Sequence, residues 1–590
     1  MSQEARGVPV TTSTVDTEDQ PRVSRLSRLP SVRRIPVLGR LFTWLCLDFG
    51  GVVGATFFFC LSLTPSLLPR TWPFQTMVSG LTAVIGYAIG ALLASIVRFL
   101  THRVRPGWTP PRRWVLIAWS GLGVVGGVGA TWYLTGAARW QTQLRALMDV
   151  SSPGPNHYLL ILLLGGLLFI SIIAVGRAIR GAAGWLGRIL ARWVPVPIAL
   201  LLSALCVAWV VSWSWTGLFY PTLLGAANDA WATLNQETEA GNSAPASTTH
   251  SGGRGSLVSW DSLGRKGRAF VSSGPTPDEL EAFSGTPALD PVRAYVGMNS
   301  AETPAGLASL AVRELERAGG FDRQILVIVT TTGTGWVDDA AADALEFLYN
   351  GDSAIVAMQY SYLPSWISFV ADQEQVQIAG RALFNAVHDR WSQLPVDERP
   401  RLYAYGESLG ALGSSAPFGD VSELEAKVDG ALWVGTPADQ QLRVELTADR
   451  EPGSSARLPV YRDGSVVRFW GGWEEPADLR SGWAGARVLY LQHASDPVAF
   501  WSPDLILSQP DWLREEHGPD VLPNFDWYPF VTFWQITADM AVSAKVPAGH
   551  AHNYGGELVD AWLAVAPPDD WPEDRTDDLR EIVHSFPAGG

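Results

Sequence analysis

The residue types best placed to do chemistry lie in a short segment that begins at Arg401. An apolar stretch there runs into Gly406-x-Ser408-x-Gly410, and a run of small residues follows. A strand that turns sharply into a helix at such a sequence lifts the serine hydroxyl clear of the backbone, where it can act as a nucleophile. Both glycines are needed because the turn leaves no room for a Cβ atom. The five-residue pattern also occurs by chance, so its surroundings decide its meaning.

A nucleophilic serine needs a base to remove its proton, and the base needs a carboxylate to orient it. When the serine sits in a strand-to-helix turn, the acid typically follows a late strand and the histidine comes last. Asp496 comes soon after an apolar stretch that ends at Leu491, although Asp-Pro is also typical of a simple turn. His550 and His552 precede a predicted final helix. We expect Asp496 to be the acid and His552 the base, with His550 as the alternative base.

A developing oxyanion needs two backbone N–H donors. One comes from the residue after the nucleophile, which is Leu409, and the other from an early strand-to-helix loop. The loop that contains Thr332, Gly333 and Thr334 follows the first predicted strand, so these residues are the candidates for the second donor. A phosphate-binding loop is the competing interpretation, but the Gly-Lys-Ser/Thr ending is missing. No cluster has metal-ligand spacing, and we expect no cofactor.

Five apolar stretches in the second half of the chain predict buried strands, and helical patterns separate them. Strands that alternate with helices predict a doubly wound, mostly parallel sheet. The predicted strands are residues 324–329, 353–360, 401–405, 428–434 and 486–491, and the main predicted helices are residues 306–318, 336–349 and 374–393. The serine motif thus follows a strand in the interior of such a sheet, where a catalytic turn belongs.

The first half of the chain contains five apolar stretches near the length of about 20 residues that a membrane-spanning helix needs. They are residues 41–63, 74–100, 114–134, 158–175 and 196–219. Arginine is abundant in the N-terminal tail and in the loops after the second and fourth stretches, and sparse in the alternate loops. By the positive-inside rule we expect the N-terminus to be cytoplasmic and the second half to be extracytoplasmic. The protein is predicted to be a polytopic plasma-membrane protein in contact with the lipid bilayer.

The charge is divided between the two halves. Residues 1–220 contain 19 Arg, no Lys and 6 acidic residues, whereas the rest contains 24 basic and 52 acidic residues. A nucleic-acid-binding surface is therefore not expected, since no basic stripe lies outside the membrane-flanking loops. We divide the chain into a disordered cytoplasmic tail (1–35), a five-helix transmembrane domain (36–222), an amphipathic helix with a flexible linker (223–256), a catalytic domain (257–566) and an acidic tail (567–590).

An insertion between Asp496 and His550 is crowded with aromatic residues. It could form a lid or an apolar acyl site beside the predicted catalytic residues. It could equally be a helical cap with a core of its own. The sequence leaves these alternatives open.

Four blocks together resemble a known family. They are residues 259–271, the loop at 332–336, the serine motif at 406–410 and the histidine segment at 549–554. The chain is similar in these blocks to bacterial membrane-anchored α/β-hydrolase-like proteins, common in actinobacteria, which have a multi-span N-terminal domain and a C-terminal hydrolase domain. The resemblance implies the α/β-hydrolase fold with cap insertions and supports Ser408 as the nucleophile. It implies no particular substrate.

These observations predict a membrane-anchored serine hydrolase that acts on an ester. Membrane attachment and the aromatic insertion favour a lipid or an acylated cell-envelope substrate. An acyltransferase that passes the acyl group to an envelope hydroxyl is one alternative. A non-catalytic membrane scaffold or transport-associated protein is the other, and the intact serine, acid and histidine set argues against it.

Overall fold

The computed structural model describes residues 47–151, 157–371 and 373–584. The predicted cytoplasmic tail and the first residues of the first predicted span lie outside this part of the chain. From Phe49 onwards, the described residues form one compact unit. Within it, a helical N-terminal half, residues 49–236, leads into a domain built on a parallel sheet.

The described residues of the N-terminal half form six α-helices. Four helical stretches are long and apolar enough to cross a membrane, and a shorter apolar helix precedes them. The helices are α1 (Phe49–Ser62), α2 (Trp72–Val104), α3 (Arg112–Leu147), α4 (Tyr158–Leu190), α5 (Val196–Ser214) and α6 (Tyr220–Gln236), with a π-helical turn (Trp215–Phe219) that joins α5 to α6. Four of the five predicted spans are therefore confirmed as candidates. The fifth stays a prediction, because α1 is too short by itself and the rest of residues 41–63 lies outside the described residues.

Glycines allow α1 and α2 to pack with their backbones in close contact. A Cβ atom on Gly54 would lie 2.1 Å from the carbonyl oxygen of Gly86, and one on Gly90 would lie 2.1 Å from that of Gly50. Helices in a membrane associate by such close packing of small residues, because lipid is as apolar as the side chains it replaces. The glycines thus fix the position of α1 against the long helix that follows it.

The C-terminal domain contains a sheet of seven strands that are all parallel. The spatial order is β1-β3-β2-β4-β5-β7-β6. The strands are β1 (Val292–Val296), β2 (Ile325–Thr330), β3 (Ser353–Met358), β4 (Arg401–Glu407), β5 (Gly430–Val434), β6 (Val467–Trp470) and β7 (Arg487–Leu491). The predicted doubly wound sheet is confirmed, and strands β2, β3, β4, β5 and β7 correspond to the five predicted strands.

Helices cover this sheet and connect its strands. Before β4 they are α7 (Gly264–Ser272), α8 (Pro277–Ser284), α9 (Pro304–Arg317), α10 (Asp339–Leu348), α11 (Ser365–Ala371) and α12 (Gln373–Ser392). After β4 they are α13 (Leu409–Ser415), α14 (Val421–Lys427), α15 (Gln441–Ala448), α16 (Ala477–Arg480), α17 (Pro497–Phe500), α18 (Val531–Met540), α19 (Glu557–Val565) and α20 (Thr576–His584).

Two strands were missed by the sequence analysis because each contains an arginine at its second position. Arg293 of β1 is buried, and its Nη2 lies 2.5 Å from Asp343 and 2.7 Å from Glu346 on α10. Arg468 of β6 donates to backbone carbonyls, including that of Gly464 at 2.7 Å. A charged residue breaks the apolar run that identifies a buried strand, and only the partners of the charge in the fold explain its burial.

Two segments predicted to be linker or tail are packed against the domain. In the predicted flexible linker, Ser251 is fully buried and its N–H donates to the carbonyl of Arg293 at 3.0 Å. At the C-terminal end, Leu579 and Val583 of α20 are buried in the main hydrophobic core. The correction has a simple physical reason: short polar stretches carry buried residues when the neighbouring strand or helix offers them hydrogen-bond partners or an apolar face.

The helix packing predicts an effect of adding one methyl group. We expect Gly86→Ala to lower the stability of the helical half by about 1–3 kcal/mol, because the new Cβ would meet the Gly54 carbonyl oxygen at 2.4 Å. The thermal midpoint of the detergent-solubilised protein measures this effect. Gly127→Ala on α3 is the matched control, since nothing lies within 4 Å of its Cβ position. Equal midpoints for the two variants would contradict the packing described.

Candidate active site

Ser408 occupies the sharp turn between β4 and α13. Its backbone angles are φ 56° and ψ −127°, which are strained for any residue but glycine. The flanking glycines make the turn possible: a Cβ on Gly406 would lie 2.3 Å from the Gly410 carbonyl oxygen, and one on Gly410 would lie 2.3 Å from the Thr330 carbonyl oxygen. The sequence folds in this way because only hydrogen atoms fit at these two positions.

Asp496 and His552 form a buried pair on neighbouring loops. The Nδ1 atom of His552 lies 2.7 Å from Oδ2 of Asp496. The same oxygen accepts a hydrogen bond from the Tyr554 hydroxyl at 2.6 Å, and Oδ1 accepts one from the Val498 N–H at 2.8 Å. Burial by itself raises the pKa of Asp496, but His552 and these hydrogen bonds outweigh it and lower the pKa. The carboxylate is therefore charged and faces the imidazole.

Ser408 and His552 both contact the end of β5. The Ser408 N–H donates to the Val434 carbonyl at 2.9 Å. The next residue, Gly435, has φ 53°, and a Cβ there would lie 2.2 Å from the His552 ring. The Nε2 atom of His552 is buried and has no hydrogen-bond partner within the described ranges. This nitrogen is the one on the side of the ring that Asp496 does not contact.

The alternative base, His550, has different surroundings. Its ring lies 5.6 Å from that of Trp473, and its Nδ1 atom is buried without a hydrogen-bond partner among the residues described. Burial lowers the pKa of His550. The structure thus joins His552, and not His550, to Asp496.

The predicted oxyanion loop lies beside the serine turn, next to the end of β2. The N–H of Thr332 donates to the Trp336 carbonyl at 3.1 Å, and the N–H of Gly333 donates to Ser365 Oγ at 3.3 Å. Each of these two donors thus already has a partner. Thr334 takes part through its carbonyl, which accepts from Gln359.

The predicted first oxyanion donor, Leu409, starts α13. Its N–H therefore lies in the first turn, where a helix provides no carbonyl partner four residues back.

A pair of buried carboxyl groups beside the site was missed by the sequence analysis. Burial, followed by the charge of Asp338 and a hydrogen bond with it, holds the pKa of Glu407 well above its usual range. Burial also raises the pKa of Asp338, which caps α10 by accepting from the Ala341 N–H at 3.0 Å. Two carboxyl groups in contact share a proton because both cannot be charged. Glu407 gave no sequence signal, since it occupies a variable position of the serine motif.

His493 connects the loops that carry the acid and the base. Its Nε2 lies 2.5 Å from Glu557, its Nδ1 lies 2.8 Å from the Ala551 carbonyl, and its ring stacks on Tyr554 at 4.3 Å. The sequence analysis did not single out this residue. Burial by itself lowers the pKa of His493, but the charge and hydrogen bond of Glu557 outweigh burial and raise it to about 9. The protonated imidazole holds Tyr554 in place beneath Asp496.

A parallel sheet with a serine in the turn after β4, and an Asp–His pair on later loops, defines an α/β-hydrolase fold. Comparison with family models agrees. Residues 292–579 match a model described as an alpha/beta-hydrolase family, and residues 63–275 match the model of that family's N-terminus. The chain belongs to this α/β-hydrolase family and carries its N-terminal region. No curated protein and no solved structure matches the chain.

The ion pair of His493 predicts a pH-dependent stability. A histidine whose pKa is raised on folding stabilises the protein fully below pH 6.5, and this contribution is lost as the pH rises through about 9. We expect a loss on the order of 3 kcal/mol across that window. Thermal midpoints measured from pH 6 to 10 should therefore fall in the wild type and fall much less in Glu557→Gln.

The matched control for this experiment is Glu423→Gln. Glu423 pairs with Lys427 on the surface, and its pKa is lowered, so it does not titrate in this window. Its pH profile should follow that of the wild type. A Glu557→Gln profile as steep as the wild-type profile would contradict the role given to the ion pair.

Proposed function

We propose that this protein is a membrane-anchored serine hydrolase that cleaves an ester through an acyl-enzyme. The observation that carries the proposal is the buried Asp496–His552 pair, whose second imidazole nitrogen is free beside the strained turn of Ser408. Backbone strain of this kind persists only where the surrounding fold holds it, and it is concentrated at active sites, where the chemistry uses it. Membership of the α/β-hydrolase family supports a hydrolase.

The mechanism follows from the roles of these three groups. Ser408 Oγ attacks the ester carbonyl, and Nε2 of His552 takes the hydroxyl proton. Asp496 stabilises the imidazolium that forms and keeps the ring oriented. The proton then passes to the leaving alcohol as the carbon–oxygen bond breaks. A water molecule, deprotonated by His552, attacks the acyl-enzyme, and the protonated base returns its proton to Ser408 as the carboxylic acid leaves.

The negative charge of the tetrahedral intermediate needs preorganised donors. We assign the first to the N–H of Leu409 at the start of α13. The second comes from the 332–334 loop, where the N–H of Gly333 is bound only by the Ser365 hydroxyl at 3.3 Å. A change of the Ser365 side-chain rotamer can release this N–H when the oxyanion forms, whereas the N–H of Thr332 is held by a backbone carbonyl. This difference favours Gly333 over Thr332 as the second donor.

The position of the site supports a lipid or an acylated envelope substrate. Ala494 and Ala551, which lie close to Asp496 and His552 in the sequence, share a hydrophobic cluster with Leu67, Leu68 and Met148. These last three residues follow the ends of α1 and α3 in the helical half. The active site would therefore face the bilayer surface, where an acyl chain can reach the serine.

The arrangement of the helices supports the proposed orientation. The residues of the helical half that contact the hydrolase domain include the segment between α1 and α2, Met148 just after α3, and the end of α6. Helix α2 has 33 residues, so its far end lies about 50 Å away. The arginine-rich segments at residues 98–113 and 177–192 lie at the helix ends that are far from the hydrolase domain. We propose a plasma-membrane protein with a cytoplasmic N-terminus and an extracytoplasmic hydrolase domain.

An acyltransferase is the second candidate function. The observation that favours it is burial, since Ser408 and His552 are each only 9% exposed. A site closed to water slows hydrolysis of the acyl-enzyme, so that another hydroxyl group can react with it first. The two reactions share every step up to the acyl-enzyme and differ in the acceptor, so analysis of the released acyl product with and without an added alcohol separates them.

The proposed mechanism predicts covalent labelling of one serine. A fluorophosphonate probe should label the wild type, and Ser408→Ala should abolish the labelling because the nucleophile is absent. His552→Ala should slow the reaction by about 10²–10⁴-fold, the usual contribution of a general base. His550→Ala is the control and should react within a few-fold of the wild type. Equal labelling of Ser408→Ala would refute the serine mechanism, as would an unreactive wild type.

The orientation predicts which side of the membrane a new thiol faces. Asp397 is exposed on the hydrolase domain, and Arg105 is exposed just after α2. In intact cells, a membrane-impermeant maleimide should label Asp397→Cys and leave Arg105→Cys at the level of the wild type. Both variants should be labelled after the membrane is permeabilised. The reverse pattern in intact cells would contradict the proposed topology.

A further inference from the structure

The helical half contacts the hydrolase domain at the two loops that surround the candidate active site. The first contact is made by the segment between α1 and α2, residues 63–71, which we name the docking loop. The second is made by the end of α6. One or two side chains connect each contact to a segment that carries a proposed catalytic group. These segments are the one that contains His552 and the loop at 332–334.

The docking loop is anchored on Asp539 of α18. Oδ2 of Asp539 accepts hydrogen bonds from the N–H groups of Leu67 at 3.1 Å and Leu68 at 3.3 Å. Arg70 of the same loop places Nε 3.7 Å from Oδ1 of Asp539, and both side chains are buried. A carboxylate out of water needs such donors and such a charge to remain stable. The docking loop therefore supplies both the hydrogen-bond donors and the positive charge that stabilise Asp539.

Gln535, one helical turn before Asp539, strengthens the same contact. Its amide nitrogen donates to the carbonyl of Thr64 at 3.0 Å. Leu67 and Leu68 are fully buried in the cluster that forms the core of the aromatic insertion. The insertion is thus a helical cap with a core of its own, and the docking loop is part of that core. Of the two alternatives left open by the sequence, the packing favours the cap.

The cap leads directly to the backbone of the base. The N–H of Val542 donates to the Asp539 carbonyl at 3.0 Å as the chain leaves α18. The carbonyl of Ser543 then accepts a hydrogen bond from the N–H of His552 at 3.2 Å. Ala551 lies in the same cluster as Leu67 and is fully buried with φ 49°. A shift of the docking loop would therefore move the backbone that holds the imidazole.

The second contact leads to the oxyanion loop. Nε2 of Gln359 donates to Oδ1 of Asn235, at the end of α6, at 3.1 Å, and also to the Thr334 carbonyl at 3.0 Å. Arg268 of α7 holds the end of α6 through the carbonyls of Asn235 and Glu237, at 3.0 and 2.6 Å. Most of α7 lies in the block at 259–271, one of the four blocks that resemble the known family. Gln359 thus connects the last helix of the N-terminal half to the loop beside Ser408.

We propose that the helical half is a structural part of the active site, with Asp539 and Leu67 as positioning residues for His552 and Gln359 as a positioning residue for the oxyanion loop. This inference rests on the proposed serine mechanism. Both contacts reach the catalytic end of the sheet, whereas the opposite end, around Arg401 and Arg487, carries an open cavity of about 420 Å³ instead. A simple tether could be attached anywhere on the domain. These contacts stabilise the two loops that the chemistry requires.

The test uses the full chain in detergent and a fluorophosphonate probe. The rate of labelling as a function of probe concentration gives a maximal rate, kinact, and a half-saturating concentration, KI. We expect Leu67→Ala and Asp539→Asn each to lower kinact at least tenfold with KI changed less than twofold, because the base is displaced and the binding surface is not. Gln359→Leu should lower kinact in the same way. Leu67→Met should restore most of the rate, since it restores the volume.

Two controls separate positioning from a loss of packing. Leu446→Ala removes the same volume from the buried face of α15, in the main hydrophobic core and not in the cluster that contains Leu67. Leu163→Ala truncates an exposed position of α4. Both should keep kinact within about twofold of the wild type. Asp539→Asn changes a charge and no volume, so it gives a result even where Leu67→Ala fails to fold.

The outcomes distinguish this inference from the proposed function. A wild type that labels at Ser408, together with Asp539→Asn and Gln359→Leu variants of unchanged kinact, would overturn the positioning role and leave the serine mechanism intact. A drop in kinact for Leu446→Ala equal to that for Leu67→Ala would overturn it as well. Failure of the wild type to react would instead refute the proposed mechanism itself.

Discussion

The strained turn at Ser408 is the constraint on which the rest of the domain depends. A residue with φ 56° and ψ −127° persists only where its neighbours hold it, and here β4 and α13 approach so closely that neither flanking position can carry a Cβ atom. The parallel sheet fixes β4 between β2 and β5. The serine is thereby raised at the end of the sheet where the loops after β2, β5 and β7 meet.

The buried carboxyl groups around this turn are stabilised by neighbouring protein groups and not by solvent. Asp496 is buried and charged because His552, Tyr554 and a backbone N–H satisfy it. Glu407 and Asp338, also buried, have raised pKa values and share a proton, so the region beside the imidazole gains one negative charge and not two. His493 supplies a positive charge behind Tyr554. The result is a buried site in which Nε2 of His552 has no hydrogen-bond partner among the residues described.

The proposed positioning role would give the N-terminal half a structural meaning beyond the proposed attachment to a bilayer. Its docking loop completes the core of the cap, and its last helix reaches the oxyanion loop through Gln359. A catalytic site built across two regions of a chain is sensitive to whatever changes their relative position. The substrate, the membrane and the catalytic loops would then be coupled by direct contacts, with no flexible linker between them.

The sequence by itself determined local features such as strands, candidate spans and the serine turn. The tertiary structure decided which residues from distant parts of the chain contact them. Apolar runs predicted five of the seven strands and five spans, four of which are confirmed as candidates, and glycine spacing identified the serine turn, because these signals depend on neighbours in the chain. The strands with Arg293 and Arg468, the carboxyl pair of Glu407 and Asp338, and the Leu67–Asp539 contact were not predictable in this way. Each depends on a partner far away in the sequence, and the energy of a buried polar group is set by that partner. The pairing of Asp496 with His552 and not with His550 has the same origin, since only the fold places His552 against Asp496.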